Sequence, residues 1–205
     1  MHVDLLDVLR CPEAHESAHL VASVDEWRER HVISGWLGCP VCGSRYVVRD
    51  GVVHFGAEWP AVTGAVPDPV RLAALLDLAE PGGLAMLAGR YALAAAEVAR
   101  LCEVQLVVLG ASGHSCGSAS VLHPGTVLPF RDAVLRAAAV DEVAANRVGP
   151  GEFVRVLRPG GRLLAQASLA LPVGVRQLAR DHMEWVAERS GPLVPLGRAA
   201  KTSDT

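Results

Sequence analysis

Two cysteines stand as Cys39-Pro40-Val41-Cys42, and Gly43 closes the run. Upstream lies Cys11-Pro12-Glu13-Ala14-His15, with His19 four residues further on. A C-x-x-C pair on a tight turn aims two thiolates at one point. Zinc takes four soft or borderline ligands in a tetrahedron, usually as two close pairs. The spacing pairs Cys11 with His15 and Cys39 with Cys42, and His19 is the alternative fourth ligand. A site closed by four protein ligands is structural, because no position is left for water. It would staple a region of about 55 residues that is short of core on its own. The competing reading makes Cys39 and Cys42 small buried or redox-active residues and the histidines surface residues.

Other residues could do chemistry but have ordinary structural roles as well. Gly113-His114-Ser115-Cys116-Gly117 offers a thiol–imidazole pair or a second metal pair, and reads equally as a Gly/Ser loop. Asp141 and Glu142 could face a substrate or cap a helix. Cys102 sits at a helix end as a small core residue. Trp27, Trp36 and Trp59 lie in or beside the cysteine-rich region, as core or as an exposed partner patch.

These residues need a scaffold, and the 205-residue chain can supply one. Hydrophobic residues make up 51% and charged residues 20%, a globular composition. The net charge of -3 gives no basic excess to hold a phosphate backbone, which disfavours non-specific nucleic-acid binding. Aromatics at 4% leave few base-stacking platforms. Lys201 is the single lysine, so lysine-based catalysis is nearly excluded. No segment approaches the roughly 18 apolar residues of a membrane span, and the start lacks a signal-peptide pattern. A cytoplasmic protein is expected, in which a C-x-x-C serves metal or redox chemistry.

Composition divides the chain. Residues 1–58 hold five Arg against nine Asp and Glu and three of the five cysteines. Residues 59–69, Trp59-Pro60 to Asp68-Pro69, form a Pro/Gly-rich linker. Residues 70–199 are rich in Ala, Leu and Val, and 200–205 are a tail. In the larger part the pattern predicts helices over 71–78, 91–102, 151–157 and 175–189. Strands are predicted over 84–87, 104–109, 118–122, 134–140, 162–167 and 192–196. Asp50-Gly51 between valine-rich runs predicts a hairpin turn. Strands alternating with helices predict an α/β fold with a doubly wound, Rossmann-like parallel sheet.

Leu5-Leu6-Asp7-Val8-Leu9-Arg10-Cys11-Pro12, Gly38-Cys39-Pro40-Val41-Cys42-Gly43 and Tyr46 to Val53 resemble the small zinc-binding activator domain of tRNA and translation-factor methyltransferases. That family carries a second cysteine where this chain has Ala14, so a histidine must substitute. Glu152 to Leu164, with Arg158-Pro159-Gly160-Gly161, resembles the segment before the fifth strand of class I S-adenosylmethionine (SAM) dependent methyltransferases. Leu128-Pro129-Phe130-Arg131-Asp132 resembles their Leu-Pro-Phe loop. The resemblance implies a zinc-ribbon-like N-terminal domain followed by a methyltransferase-type sheet, truncated at its final antiparallel hairpin.

The SAM-contacting motifs of that family are degraded in this chain. A glycine-rich turn should follow the first strand, where Ala88-Gly89-Arg90-Tyr91-Ala92 stands. An alternative register places Asp77 to Gly83 there. An acidic residue should end the second strand, where Gly110 follows Leu109. Asp should follow the third strand, where His123-Pro124-Gly125 stands. Gly89, Gly110 and Phe130 are the residues that would touch SAM if it is bound. Two readings follow. One is a zinc-containing scaffold, activator or partner subunit that has lost SAM-dependent catalysis. It would pair with a protein partner, such as a methyltransferase, or with a second copy. The other is an active SAM-dependent methyltransferase with an atypical cofactor site.

Overall fold

The computed structural model describes residues 1–110 and 118–191. The first strands form an antiparallel meander: β1 (Val21–Arg28), β2 (His31–Gly38), β3 (Arg45–Arg49) and β4 (Val52–His54). Asp50 and Gly51, with φ of 51° and 77°, turn β3 into β4 as the sequence predicts. Both residues occupy the left-handed region that a two-residue hairpin of this hand requires. A 3₁₀ helix (Val3–Asp7) precedes the meander and buries Leu5.

The remaining strands are β5 (Leu84–Ala88), β6 (Gln105–Leu109), β7 (Ser120–His123), β8 (Leu135–Val140), β9 (Leu157–Gln166), β10 (Val175–Arg180) and β11 (Glu184–Arg189). All eleven belong to one sheet, in the order β1-β2-β3-β4-β7-β6-β5-β8-β9-β11-β10. Strands β4 to β9 along that order pair in parallel. Strands β5 and β8 are buried at every residue, as apolar runs covered on both faces must be. The alanines of β8 fit this place. Ala137 and Ala139 face one core cluster and Ala138 the other. The fold is mixed α/β with a doubly wound, Rossmann-like sheet.

Four short helices complete it: α1 (Pro69–Leu75), α2 (Ala95–Leu101), α3 (Glu142–Val148) and α4 (Pro150–Val156). Asp68 accepts from the amides of Val70 and Arg71 and caps α1, with Pro69 in the first turn. The run over 91–102 begins as a 3₁₀ helix (Gly89–Ala94) and becomes regular only at Ala95. Helix α3 follows directly after β8, where the sequence pattern signalled none. No helix among the described residues is long and apolar enough to cross a membrane.

The stretch 175–189 is a β-hairpin, not the amphipathic helix its spacing suggested. The Asp181 carboxylate accepts from the amides of Met183 and Glu184 and makes the turn. Three consecutive residues, Trp185, Val186 and Ala187, are then buried between β9 and β10. A helix would spread them over three faces, whereas an internal strand buries both of its faces. The final antiparallel hairpin that the sequence reading took as incomplete is therefore present. Strand β11 lies antiparallel between β9 and β10, and the outer strands are β1 and β10. Pro159-Gly160 loops out within β9, because Leu135 pairs with Leu157 while Ala137 pairs with Arg162. The stretch 192–196 and the tail lie outside the described residues.

The two runs that carry the methyltransferase resemblance are tied together by Arg155. Its guanidinium donates to both Glu152 carboxylate oxygens (2.8 and 2.7 Å), to the carbonyls of Phe130 and Leu128, and to Asp132. Burial alone would raise the Glu152 carboxyl. Hydrogen bonds from Arg155 and the Leu128 amide outweigh it and hold the group below its ordinary 4.5. A carboxylate lowered in this way binds fewer protons folded than unfolded. Its stabilisation is complete above about pH 4.5 and fades as pH falls through the folded value. Arg155→Met should cost about 2–3 kcal/mol and lower Tm by roughly 5–10 °C. It should also flatten the acid limb of stability below pH 4.5. Denaturant melts across pH measure both effects, and an unchanged Tm would remove this clamp from the account of the fold.

Candidate metal centre and carboxyl-edge pocket

The backbone brings Cys11, His15, Cys39 and Cys42 together, with ligand atoms all within 4.8 Å of one another. Cys11 follows the 3₁₀ helix, and its amide bonds the Ala18 carbonyl at 3.0 Å, closing a loop that carries His15. Cys39 and Cys42 flank the turn between β2 and β3. There the Gly43 amide reaches the Cys39 carbonyl, and the Cys39 amide reaches the Ser44 carbonyl. Gly43 holds φ at 74° with open space around it, so the turn can carry Cys42 to the surface.

Tetrahedral zinc with 2.3 Å bonds to sulfur puts two sulfurs ~3.8 Å apart, and a sulfur and an imidazole nitrogen ~3.5 Å apart. Cys11 Sγ and Cys42 Sγ are 3.7 Å apart. Cys39 Sγ lies 3.4 Å from His15 Nε2. The donor set and its spacing fit a tetrahedral ion of that size. His19 is exposed and lies outside the cluster, so the alternative fourth ligand is set aside. His15 Nδ1 contacts the Glu16 carbonyl, which directs Nε2 at the thiols.

The electrostatics of the cluster also favour a cation at its centre. Burial pushes the Cys11 thiol up to about 11. Hydrogen bonds from Ser44 draw the exposed Cys42 thiol down to about 6. His15 is raised, first by the Glu16 carbonyl and then by the neighbouring thiolates. A bound divalent ion would relieve both the buried thiolate and the sulfur repulsion. Tyr46 and Glu13 were not singled out in the sequence. The Tyr46 hydroxyl lies 3.2 Å from Cys11 Sγ and 3.3 Å from Glu13 Oε1, which orients the sulfur from outside the tetrad. Its signal was only a tyrosine on the buried face of β3.

The carboxyl ends of β5 and β8 mark the switch in strand order, where doubly wound sheets hold ligands. Gly89 follows β5 there, and Asp141 follows β8. A methyl group at Gly89 would land on the Asp141 carboxylate, which accepts from the amides of Arg90 and Ala144. Asp141 is thus the cap of α3. Gly110 follows β6, and the ring of Trp59 covers it. Trp59 is 4% exposed, donates to the Pro124 carbonyl at 2.9 Å and lies under the Arg147 guanidinium. It belongs to the core although it stands in the Pro/Gly stretch. Phe130 is buried too, and pairs with Leu9 beneath the N-terminal segment. Gly82 and Gly83 precede β5, so the alternative register over 77–83 falls at the opposite edge of the sheet.

Beside this crevice lies a cavity of about 380 Å³ that the sequence did not signal. Leu72, Leu164 and Met183 line it, together with Arg90, Tyr91 and Glu184. The Tyr91 hydroxyl donates to Glu184 at 2.9 Å, and Arg71 pairs with Asp181 at 2.8 Å across the mouth. Trp27 is 68% exposed, whereas Trp36 lies over Gly38 and stacks with Arg45. Cys102 is half-buried at the end of α2. The Gly113 to Gly117 loop, with His114 and Cys116, lies outside the described residues.

No family model matches the sequence, and no curated protein does. Solved structures resemble the chain distantly. The antibiotic-resistance methyltransferase Kmr is 13% identical over 65% of this chain and 98% of its own, with a TM-score of 0.40. MtNAS, solved as a point mutant, is 14% identical over 60% of this chain and 58% of its own, with a TM-score of 0.41. Geranyl diphosphate methyltransferase in complex with SAM is 18% identical over 47% of this chain and 48% of its own, with a TM-score of 0.37. The fold assignment therefore rests on the strand order: a doubly wound α/β sheet extended by a meander that carries a possible metal site.

Proposed function

We propose that this protein is a methyltransferase-related scaffold or partner subunit, stapled by structural zinc, that no longer uses SAM at the switch point of its sheet. The observation that carries the reading is the cover over Gly89 and Gly110. Asp141 takes the space beside the first glycine and Trp59 the space beside the second. Both side chains are committed to helix capping or to the core, so a cofactor could enter only by displacing structural groups. In this reading residues 1–58 form the zinc-binding activator-like part, 59–69 join it to 70–199, and 200–205 are a tail. The protein works in the cytoplasm, where thiolates stay reduced. Its partner is a methyltransferase or a second copy of this chain. In that role the zinc has all four positions filled by protein, so it holds the meander and takes no part in chemistry.

Calorimetric titration of SAM and S-adenosylhomocysteine into zinc-replete protein is expected to give no heat up to millimolar ligand. Micromolar binding would overturn the reading in favour of a methyltransferase with unusual cofactor contacts, entering through the cavity beside Arg90 and Tyr91. A purified protein of strictly single-chain mass with no stable partner would count against the scaffold role. For the metal, one zinc per chain is expected, lost in Cys39→Ser and in His15→Ala. Retention of stoichiometric zinc by Cys39→Ser would sink the ligand set. Chelation should lower Tm, because the tetrad staples the segment after the 3₁₀ helix to the turn between β2 and β3.

A further inference from the structure

Strands β4 and β7 pair in parallel, with Val52 opposite Val121, Val53 opposite Leu122 and His54 opposite His123. Opposed residues in a parallel pair share a face, so the two imidazoles stand side by side. Their ring centroids are 5.0 Å apart at 66°. His123 is 3% exposed, and neither of its ring nitrogens has a hydrogen-bond partner. A buried polar side chain with both nitrogens unmet is rare in a folded protein and points to an absent ion or water. His54 is half-buried and forms the mouth of the site.

The surroundings select among ligands for these nitrogens. Each histidine is the last residue of its strand, at the carboxyl edge where doubly wound sheets place ligands. The segment after His54 is pinned to the end of β7 by the Phe55 and Gly56 amides, which both donate to the His123 carbonyl. Arg147 is engaged elsewhere, on the carbonyls of Ala57 and Glu58 and on the face of Trp59.

We propose that His54 and His123 form a second metal site, separate from the cysteine cluster, in which the two imidazoles hold a borderline divalent transition metal. Two imidazoles suit zinc, nickel or copper and leave coordination positions open. The site therefore differs in kind from the closed cysteine tetrad. It would exchange its metal with solution through the His54 side.

The test uses full-length protein with its cysteine cluster already loaded with one zinc. Zinc alone is titrated further, and bound metal is counted after gel filtration at micromolar free zinc. A second equivalent is expected in the wild type. It should weaken roughly tenfold or more in His123→Leu and in His54→Ala, with the first equivalent unchanged. His54 is half-buried at the end of its strand, so its variant stays informative even if His123→Leu does not fold. Copper loaded in place of the second zinc should show nitrogen couplings from two imidazoles in its paramagnetic resonance spectrum. A wild type that stops at one equivalent would overturn the proposal, as would a second equivalent that survives in both variants. Neither outcome bears on the cysteine tetrad, whose zinc is counted separately.

Discussion

Four donor atoms, of Cys11, His15, Cys39 and Cys42, lie within 4.8 Å of one another. The backbone contacts that gather them set the segment after the 3₁₀ helix against the turn between β2 and β3. Leu5 and Leu9 enter the core beside this segment, both with no exposed surface. Leu9 bridges to Phe130, the Arg10 amide reaches the Pro129 carbonyl, and the Arg131 amide reaches the Val8 carbonyl. The loop so gripped is the one Arg155 holds from the other side. The N-terminal segment therefore links the cysteine cluster to the loop that leads into β8.

The pairing of β4 with β7 makes one sheet out of two. It involves only three residues on each strand, so hydrogen bonds between the strands are a small part of its strength. The rest is burial: Leu20, Val53, Leu122 and Trp59 share a core cluster with Met86 and Leu109 of the doubly wound sheet. Trp59 couples the halves most directly. Its ring closes over Gly110 while its indole nitrogen bonds the turn after β7. A segment with no regular structure can thus be a rigid connection, because one large side chain anchors it.

How far the sequence revealed this depended on whether the deciding forces were local. Cys11, Cys39 and Cys42 were legible as candidate ligands because metal chemistry restricts residue type and spacing, and the fold brings His15, not His19, within reach of them. The Asp50-Gly51 turn was legible because few dipeptides accept left-handed backbone at both positions. The β10–β11 hairpin was not. Val175 to Arg189 repeats at a spacing a helix can use, and only the place of Trp185 to Ala187 inside the sheet decides for a strand. Strand β1 carries polar residues on open surface and gave no clean alternation. Trp59 was hidden by its neighbours, since Pro60 and Gly64 mark a loop without saying what the loop packs against.

The same division between local and distant causes explains what holds the central sheet and what shapes its switch point. The strand core is held by Leu, Val and Ala buried on both faces, and none of those contacts involves a cofactor. The Gly89 turn needs its positive φ of 61° simply to leave β5. The carboxylate beside it is held by two backbone amides, of Arg90 and Ala144, which bind an anion whether or not a ligand is near. Arg90 and Tyr91, which follow Gly89, serve packing here: Tyr91 has no exposed surface and its ring lies 5.5 Å from the Arg90 guanidinium. Asp141 and Trp59 leave no room for a side chain at Gly89 and Gly110, so contacts internal to the chain fix both glycines at the switch point.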